Sequence, residues 1–478
     1  MSSEQIISKL WGLCHLLRDE GITYPEYLNE LSYLLFLKMM EETDREDTHL
    51  PKTTRWSHLV STSGPPQLDL YRAFLGRLGT TGKTPQVRAV FKEAQTAFVN
   101  AANLASIVAS IDQIDWHRAD AEALGDMYEG LLERIAGEKK SGAGQYFTPR
   151  PLIECIVQCV KPRNGELLQD PAAGTGGFLL AASRYIRSHT GTGRERKTPL
   201  QITALKPTFQ AIELVQDTHR LLSMNCMLHG IGGDLYLGDA LGDAAIQLSP
   251  ADVILSNPPF GTKGGGRRPG RTDLPYLTSN KQLSFLMHIY GGLRPGGRAA
   301  VVLPDNVLFE GGIGSKIRTD LMEKCTLHTI LRLPTGIFYA QGVKTNVLFF
   351  SRGTTDKGNT RKTWIYDLRT NMPVFGKRAR LTREIFEDFE ISYGDRPDGT
   401  SPRKDEGDQG RFRCFTRQQI KERGENLDIN WLKDYTSTST NDLPTPKKLA
   451  ATMREHLSFA MQEIDALSRL LEDAEASG

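Results

Sequence analysis

The tetrapeptide Asn257-Pro258-Pro259-Phe260 follows directly on an apolar run, Ala251 to Leu255, that reads as a strand. Its two prolines fix the backbone and remove its donors, which leaves carbonyl oxygens and the Asn257 amide oxygen as acceptors. An edge of acceptors suits a planar amine that carries two N–H bonds. The nitrogen of such a heteroaromatic amine is a poor nucleophile, because its lone pair is delocalised into the ring. The Asn257 side chain and the Pro258 carbonyl can grip both N–H bonds and so favour the pyramidal nitrogen that attack requires. Phe260 adds a face on which a base can stack, worth about 1–3 kcal/mol. Taken alone, the motif also fits a rigid polar turn with a buried aromatic.

Upstream, Asp170 and Pro171 lead into Ala172-Ala173-Gly174-Thr175-Gly176-Gly177, a glycine turn between a strand and a helix that brings backbone close to a ligand. The third glycine of a dinucleotide fingerprint would fall on Leu179, and no GKS or GKT occurs, so a pyrophosphate cofactor fits poorly. Further along, Glu213 ends a predicted strand (QAIEL), where a carboxylate can accept from ribose hydroxyls. It lies 43 residues beyond Asp170, against a usual spacing of about 20. The polar, basic insert Ser188 to Lys197 accounts for the surplus. Asp239, in LGDAL, follows another strand and can accept from an adenine amino group. A tight turn without a ligand, a cap or a surface charge would explain each of these motifs singly. In conjunction and in this order they line one sheet edge with a cofactor and then with a reactive amine.

Elements must hold these residues together. From Tyr146 to about Arg352, short apolar runs (Leu167–Gln169, Phe209–Leu214, Val253–Leu255, Ala299–Leu303, Leu327–Leu333, Asn346–Phe350) alternate with helical stretches. That alternation predicts an α/β fold, a mostly parallel sheet covered on both faces, with ligands beyond the carboxyl ends of the strands. Residues 1–142 read as a helical domain, with apolar positions at helical spacing such as Ile6, Leu10, Leu13 and Leu17. The small, flexible stretch Lys139 to Gln145 marks the junction. The sheet domain is expected over residues 143–375. Residues 376–478 are expected to hold a polar loop, Gly394 to Gly410, too poor in apolar residues to pack, and an amphipathic helix over about 444–474, with Leu449, Met453, Leu457, Met461, Ile464, Leu467 and Leu471 as its stripe.

Composition sets outer bounds. The 478 residues include 59 Lys and Arg against 57 Asp and Glu, a net charge of +2, so any polyanion must be held by local patches. Two candidates are Lys263, Arg267, Arg268 and Arg271 in a glycine-rich stretch, and Lys377, Arg378, Arg380 and Arg383; such runs are usually solvated faces. Six scattered cysteines, with no C-x-x-C pair and no Cys/His cluster, predict neither zinc nor disulfides, and no metal is expected. The longest apolar stretch, Leu31 to Met40, is too short for a bilayer, and the N-terminus lacks the pattern of a secretory signal, so a cytoplasmic location is expected.

The chain resembles the methyltransferase subunit of type I restriction-modification enzymes, which are adenine-N6 DNA methyltransferases. The resemblance is carried by WGLCHLLRDEG, GDMYEGLLERIAGEKKSGAGQYFTPRPLI, DPAAGTGGFL, SNPPFG, LRPGGRAAVVLPDNVLFEGG and LRLPTGIFYAQGVKTNVLFF, and runs through nearly the whole chain. It implies a Rossmann-like, S-adenosylmethionine-dependent methyltransferase domain between an N-terminal helical domain and a C-terminal helical tail. Gln145, Tyr146, Phe147, Thr148, Pro149 and Arg150 would meet the methionine end of the cofactor, beside Asp170, Gly174, Thr175, Gly176 and Gly177. Glu213 would hold the ribose and Asp239 the cofactor's adenine. Asn257, Pro258, Pro259 and Phe260 match the family's catalytic tetrapeptide, and Phe338 would stack an extruded base from its other side. In this family a separate specificity subunit, typically gripped by two methyltransferase subunits, reads the DNA sequence, and a restriction subunit uses ATP. The C-terminal amphipathic helix would then dock the specificity subunit. Two other readings stay open: methylation of RNA or of a protein glutamine, and a non-catalytic, cofactor-binding scaffold of a defence complex.

Overall fold

Strand-forming runs and amphipathic stretches alternate along the chain, and in the computed structural model they build one mixed sheet. The structure describes residues 6, 8–10, 12–13, 22–114, 116, 130, 148–190, 208–260, 271–338, 343–376 and 379–434. Outside these lie Leu17, Gln145, Tyr146, Phe147, Lys263, Arg267, Arg268, Lys377, Arg378 and the stretch expected to form the C-terminal helix. The strands are β1 (Leu167–Asp170), β2 (Thr208–Glu213), β3 (Gly233–Leu237), β4 (Ala251–Ser256), β5 (Leu293–Pro304), β6 (Cys325–Arg332), β7 (Thr345–Arg352), β8 (Lys362–Asp367) and β9 (Phe412–Thr416). Their spatial order is β3-β2-β1-β4-β5-β7-β6-β8-β9. Pairings from β3 through β5 are all parallel, whereas β7 runs antiparallel to both β5 and β6, and β9 antiparallel to β8.

Parallel strands need crossover helices, and burying both faces explains the mainly apolar run of β4, while in β1 and β2 the buried Gln169 donates to Gln210 Oε1 at 3.0 Å. Val253 and Leu255 of β4 enter one core layer with helices α5 (Arg150–Val160) and α6 (Gly177–His189), labels that continue the N-terminal helices named below. Ile254, between them, enters the opposite layer with α8 (Lys281–Gly292) and α9 (Ile313–Lys324). Each such side chain contributes about 1.5–3 kcal/mol on burial. The N-terminal helices α1 (Tyr24–Glu42), α2 (Pro65–Thr81), α3 (Pro85–Val90) and α4 (Ala101–Asp112) have a core of their own. That core is completed by Leu221, Met224, Met227 and Leu228 of α7 (Gln216–Leu228), the helix after β2. Arg220 Nε on α7 donates to Val90 O at 2.7 Å, and Arg45 Nη1 to Met227 O at 2.9 Å, which locks the two cores together.

Beyond Arg352 the structure corrects the sequence reading. The sheet continues past residue 375 to β9, and Met1–Trp431 forms one compact unit, with Leu432–Gly478 a second. Gly394 to Gly410 does pack. Arg403 donates to Tyr393 O through Nε (3.0 Å) and Nη2 (2.9 Å) and to Thr329 Oγ1 (2.9 Å), while its guanidinium lies 4.8 Å from the Tyr393 ring centroid. A charged side chain, not an apolar one, holds this loop, which is why low hydrophobicity misled. No described helix is long and apolar enough to cross a membrane.

Candidate active site

The carboxyl ends of β1, β2, β3 and β4 converge on a cavity of about 260 Å³. Chain order reverses between β1 and its neighbours β2 and β4, and a crevice at such a reversal is where ligands bind in doubly wound sheets. Asp170 ends β1, Glu213 ends β2, Asp239 follows β3 and Asn257 follows β4; all four line the cavity.

The glycine turn forms its floor. Gly174 and Gly176 have φ of +56° and +91°, and a Cβ at Gly176 would meet Leu222 Cδ1 at 2.8 Å, so glycine is required there by both conformation and space. Gly174, Thr175 and Gly177 line the cavity, with Gly176 capping α6 behind them. The Glu213 carboxylate accepts from Gly174 N and Val215 N, each at 2.9 Å, tying the turn to the end of β2. Burial pushes its pKa up. Asp170 accepts from Ser256 Oγ (2.7 Å) and Ala172 N (3.0 Å), bridging β1 to β4, and burial pushes its pKa up to about 7. Asp239 is exposed at the rim and accepts from Leu241 N at 2.8 Å. A cavity walled by three carboxylates suits a cationic ligand.

At Asn257 the side-chain amide has a direction. Its Nδ2 donates to Thr148 Oγ1 at 3.0 Å, while its Oδ1 is buried without a partner. An unfilled, buried amide oxygen costs stability of about 1–3 kcal/mol, which a donor placed against it would recover. Thr148 lines the cavity; Pro149 and Arg150 open α5 and do not. Pro258 is buried, and the Pro259 carbonyl accepts from Gln282 Nε2 at 3.3 Å. Phe260 meets Phe338 edge to face, centroids 5.6 Å apart at 85°. The sequence reading put these rings on opposite faces of a base; here they touch each other, which leaves no gap between them for a base.

Two residues at the cavity had no signal in the sequence. Lys281 and Phe285, on the first turns of α8, line it beside Asn257 and Asp239. Only the cap Asn280, which accepts from Leu283 N at 3.2 Å, was available to mark where that helix starts. Arg271, expected at a DNA phosphate, is half-buried and already paired with neighbouring side chains. Its Nε donates to Asp273 Oδ1 (2.7 Å) and its Nη1 to His288 Nδ1 (2.5 Å), a histidine that burial pushes down to about 4 and keeps neutral.

The family model for N-6 DNA methylases matches residues 119–442. The type I restriction enzyme StySPI methylase subunit of Salmonella potsdam is 47% identical, over 98% of this chain and 96% of its own length. This chain belongs to the methylase subunits of type I restriction enzymes. The EcoKI methylase subunit of Escherichia coli K12 is likewise 47% identical over the same shares. The crystal structure of the EcoKI M protein superposes with a TM-score of 0.58 at 43% identity, covering 98% of this chain and 96% of that one. A structure from work on assembly and conformational transition of a type I restriction-modification system reaches 0.72 at 26% identity, covering 99% of each. The type I methylase subunits are adenine-specific DNA methyltransferases, whose substrate carries an exocyclic amine. Membership in this family favours DNA over RNA or a protein glutamine, and an enzyme over a scaffold.

Proposed function

We propose that the chain transfers a methyl group from S-adenosylmethionine to adenine N6 in DNA, at the cavity edge formed by Asn257, Pro258, Pro259 and Phe260. The observation that carries this reading is the buried, unpartnered Oδ1 of Asn257, held by Thr148 beside a cavity walled by carboxylates. The residues fit the cofactor, since the Asp170 carboxylate complements its positive charge, the Glu213 and Asp239 carboxylates offer acceptors to hydroxyl and amino donors, and the glycine turn admits close approach of a chain. When bound, S-adenosylmethionine supplies a methyl group already activated by a positive sulfur. Asp170, Thr148 and the residues just before it hold its methionine end, Glu213 its ribose and Asp239 its adenine, while Pro149 and Arg150 stand outside the cavity.

The target adenine must leave the duplex, at a cost of a few kcal/mol. Asn257 Oδ1 and the Pro258 carbonyl accept from its N6, so the nitrogen lone pair turns toward the methyl group. For a base to lie on Phe260, the ring of Phe338 must swing away and then close over the opposite face. Lys263, Arg267 and Arg268 contact phosphate. The chain works in the cytoplasm with a separate specificity subunit, two methylase subunits to one, docked through the helix at about 444–474, and with a restriction subunit in the full assembly.

The test is transfer of tritiated methyl groups by the chain, co-expressed with its specificity subunit, to unmodified DNA, RNA and protein. Label is expected in DNA alone, as N6-methyladenine, and Asn257→Ala should lower the rate by about 10²–10³, the scale for loss of one transition-state hydrogen-bonding group. Label in protein glutamine, or full activity in Asn257→Ala, contradicts the reading.

A further inference from the structure

The motif PDN at the end of β5 and the stretch between β6 and Phe338 have no role in the chemistry described so far, yet they converge on one side chain. Arg369, just past β8, is 8% exposed and forms a bidentate pair with Asp305, Nη1 to Oδ2 at 2.8 Å and Nη2 to Oδ1 at 2.9 Å. Its Nε donates to Leu333 O (3.0 Å) and its Nη2 also to Thr345 O (2.7 Å). Asn346 Nδ2 completes the cluster by donating to Asp305 Oδ1 at 2.7 Å. One guanidinium therefore ties together the carboxyl end of β5, the chain leaving β6 and the start of β7.

What this cluster holds is the segment that carries Phe338. Leu333, five residues before it, is fixed twice: its carbonyl by Arg369 and its N–H by Thr345 O at 3.0 Å. Thr335 O accepts from Phe375 N at 3.0 Å, and a Cβ on Gly336, at φ +81°, would stand 2.1 Å from Phe375 O. The segment thus leaves the sheet along one path, and that path delivers the Phe338 ring against Phe260.

We infer that Arg369 and Asp305 form a clamp that positions the Phe338 wall of the base pocket, so that they act on methylation through base capture and not through cofactor binding. The inference rests on the proposed role of Phe338 at the base. Lysine cannot substitute: a single ammonium lacks the fork that spans a carboxylate and two carbonyls at once. A wall misplaced by an ångström costs up to about a hundredfold in rate.

The experiment is a double-mutant cycle in the full chain with its specificity subunit, combining Arg369→Lys with Phe338→Ala. Single-turnover methylation of unmodified DNA is measured beside calorimetric binding of S-adenosylmethionine. Each single variant should slow methylation by about tenfold to a hundredfold. The double variant should be no slower than the worse single one, with cofactor affinity as in the wild type throughout. Rates that fall by the product of the two single effects overturn the clamp and leave the role of Phe338 standing. A wild-type rate in Phe338→Ala overturns that role and the clamp with it. A wild-type rate in Arg369→Lys, or cofactor affinity that falls in parallel with rate, overturns the clamp alone. Should Arg369→Lys not fold, Asp305→Asn keeps the shape, removes the charge and is read by the same criteria.

Discussion

Asp170 illustrates how a site residue can be structural and functional at once. Its carboxyl bridges β1 to β4 through Ser256, and burial raises its pKa to about 7, well above that of an exposed aspartate. A raised pKa has two consequences of opposite sign. In the empty protein the group stays partly protonated at neutral pH, so the stability it contributes is lost as pH rises through about 7. A cationic ligand prefers the ionised form, so binding releases a proton and tightens as pH rises across the same window. We expect S-adenosylmethionine to bind more tightly at pH 8 than at pH 6, by about tenfold if the proton is fully released, and Asp170→Asn to flatten that dependence. Calorimetry in buffers of different ionisation enthalpy measures both affinity and proton release. No pH dependence in the wild type would separate Asp170 from the cofactor's charge. Asp170 was legible because it opens a glycine turn, and Asn257 because prolines follow it; the orientation of Asn257 by Thr148, 109 residues away in the chain, was not.

At the scale of elements, β3, short and largely exposed, was marked only by Asp239 after it, whereas β1, β2 and β4 beside the site were legible because each is an apolar run between turn signals. β8 and β9 were not: Lys362–Asp367 and Phe412–Thr416 are six and five residues long and flanked by charge, so only pairing in the sheet reveals Trp364, Tyr366 and Phe412 as one buried face. The glycine turn shows the reverse case, in which local sequence specifies geometry. Gly176→Ala would force a Cβ into the left-handed region and onto Leu222, and should destabilise the fold by about 1–2 kcal/mol from conformation alone. Because Asn225 Nδ2 on α7 holds Thr175 O at 2.8 Å, the displaced turn should also bind cofactor less well. Thermal denaturation with and without cofactor tests this: the ligand-induced rise in Tm should shrink in the variant. A Tm and a ligand shift equal to those of the wild type would mean that the turn has room that the structure denies.

Across the whole molecule, α7 joins the two cores, for one side of it completes the N-terminal helical core and the other, through Leu222 and Cys226, packs under the glycine turn. The catalytic unit is therefore built on the helical domain and does not merely follow it in sequence. Charge is the second global property. With 59 basic against 57 acidic residues the chain has almost no net attraction for a polyanion, and the charge of Arg271, one of its candidate phosphate contacts, is already paired with Asp273. Affinity for DNA grows with the number of phosphates neutralised, and so does its sensitivity to salt. The isolated chain should accordingly bind DNA only in the non-specific range, about 10⁻⁴–10⁻⁶ M at physiological salt, with a shallow slope of log K against log salt. Joined to its specificity subunit it should reach roughly 10⁻⁸ M or better on cognate DNA with a steeper slope, since the added phosphate contacts come from the assembly. Fluorescence anisotropy over a salt series compares the two. Tight, sequence-dependent binding by the isolated chain would place a DNA reader within these 478 residues, and the division of labour between catalysis and recognition proposed for this protein would have to be redrawn.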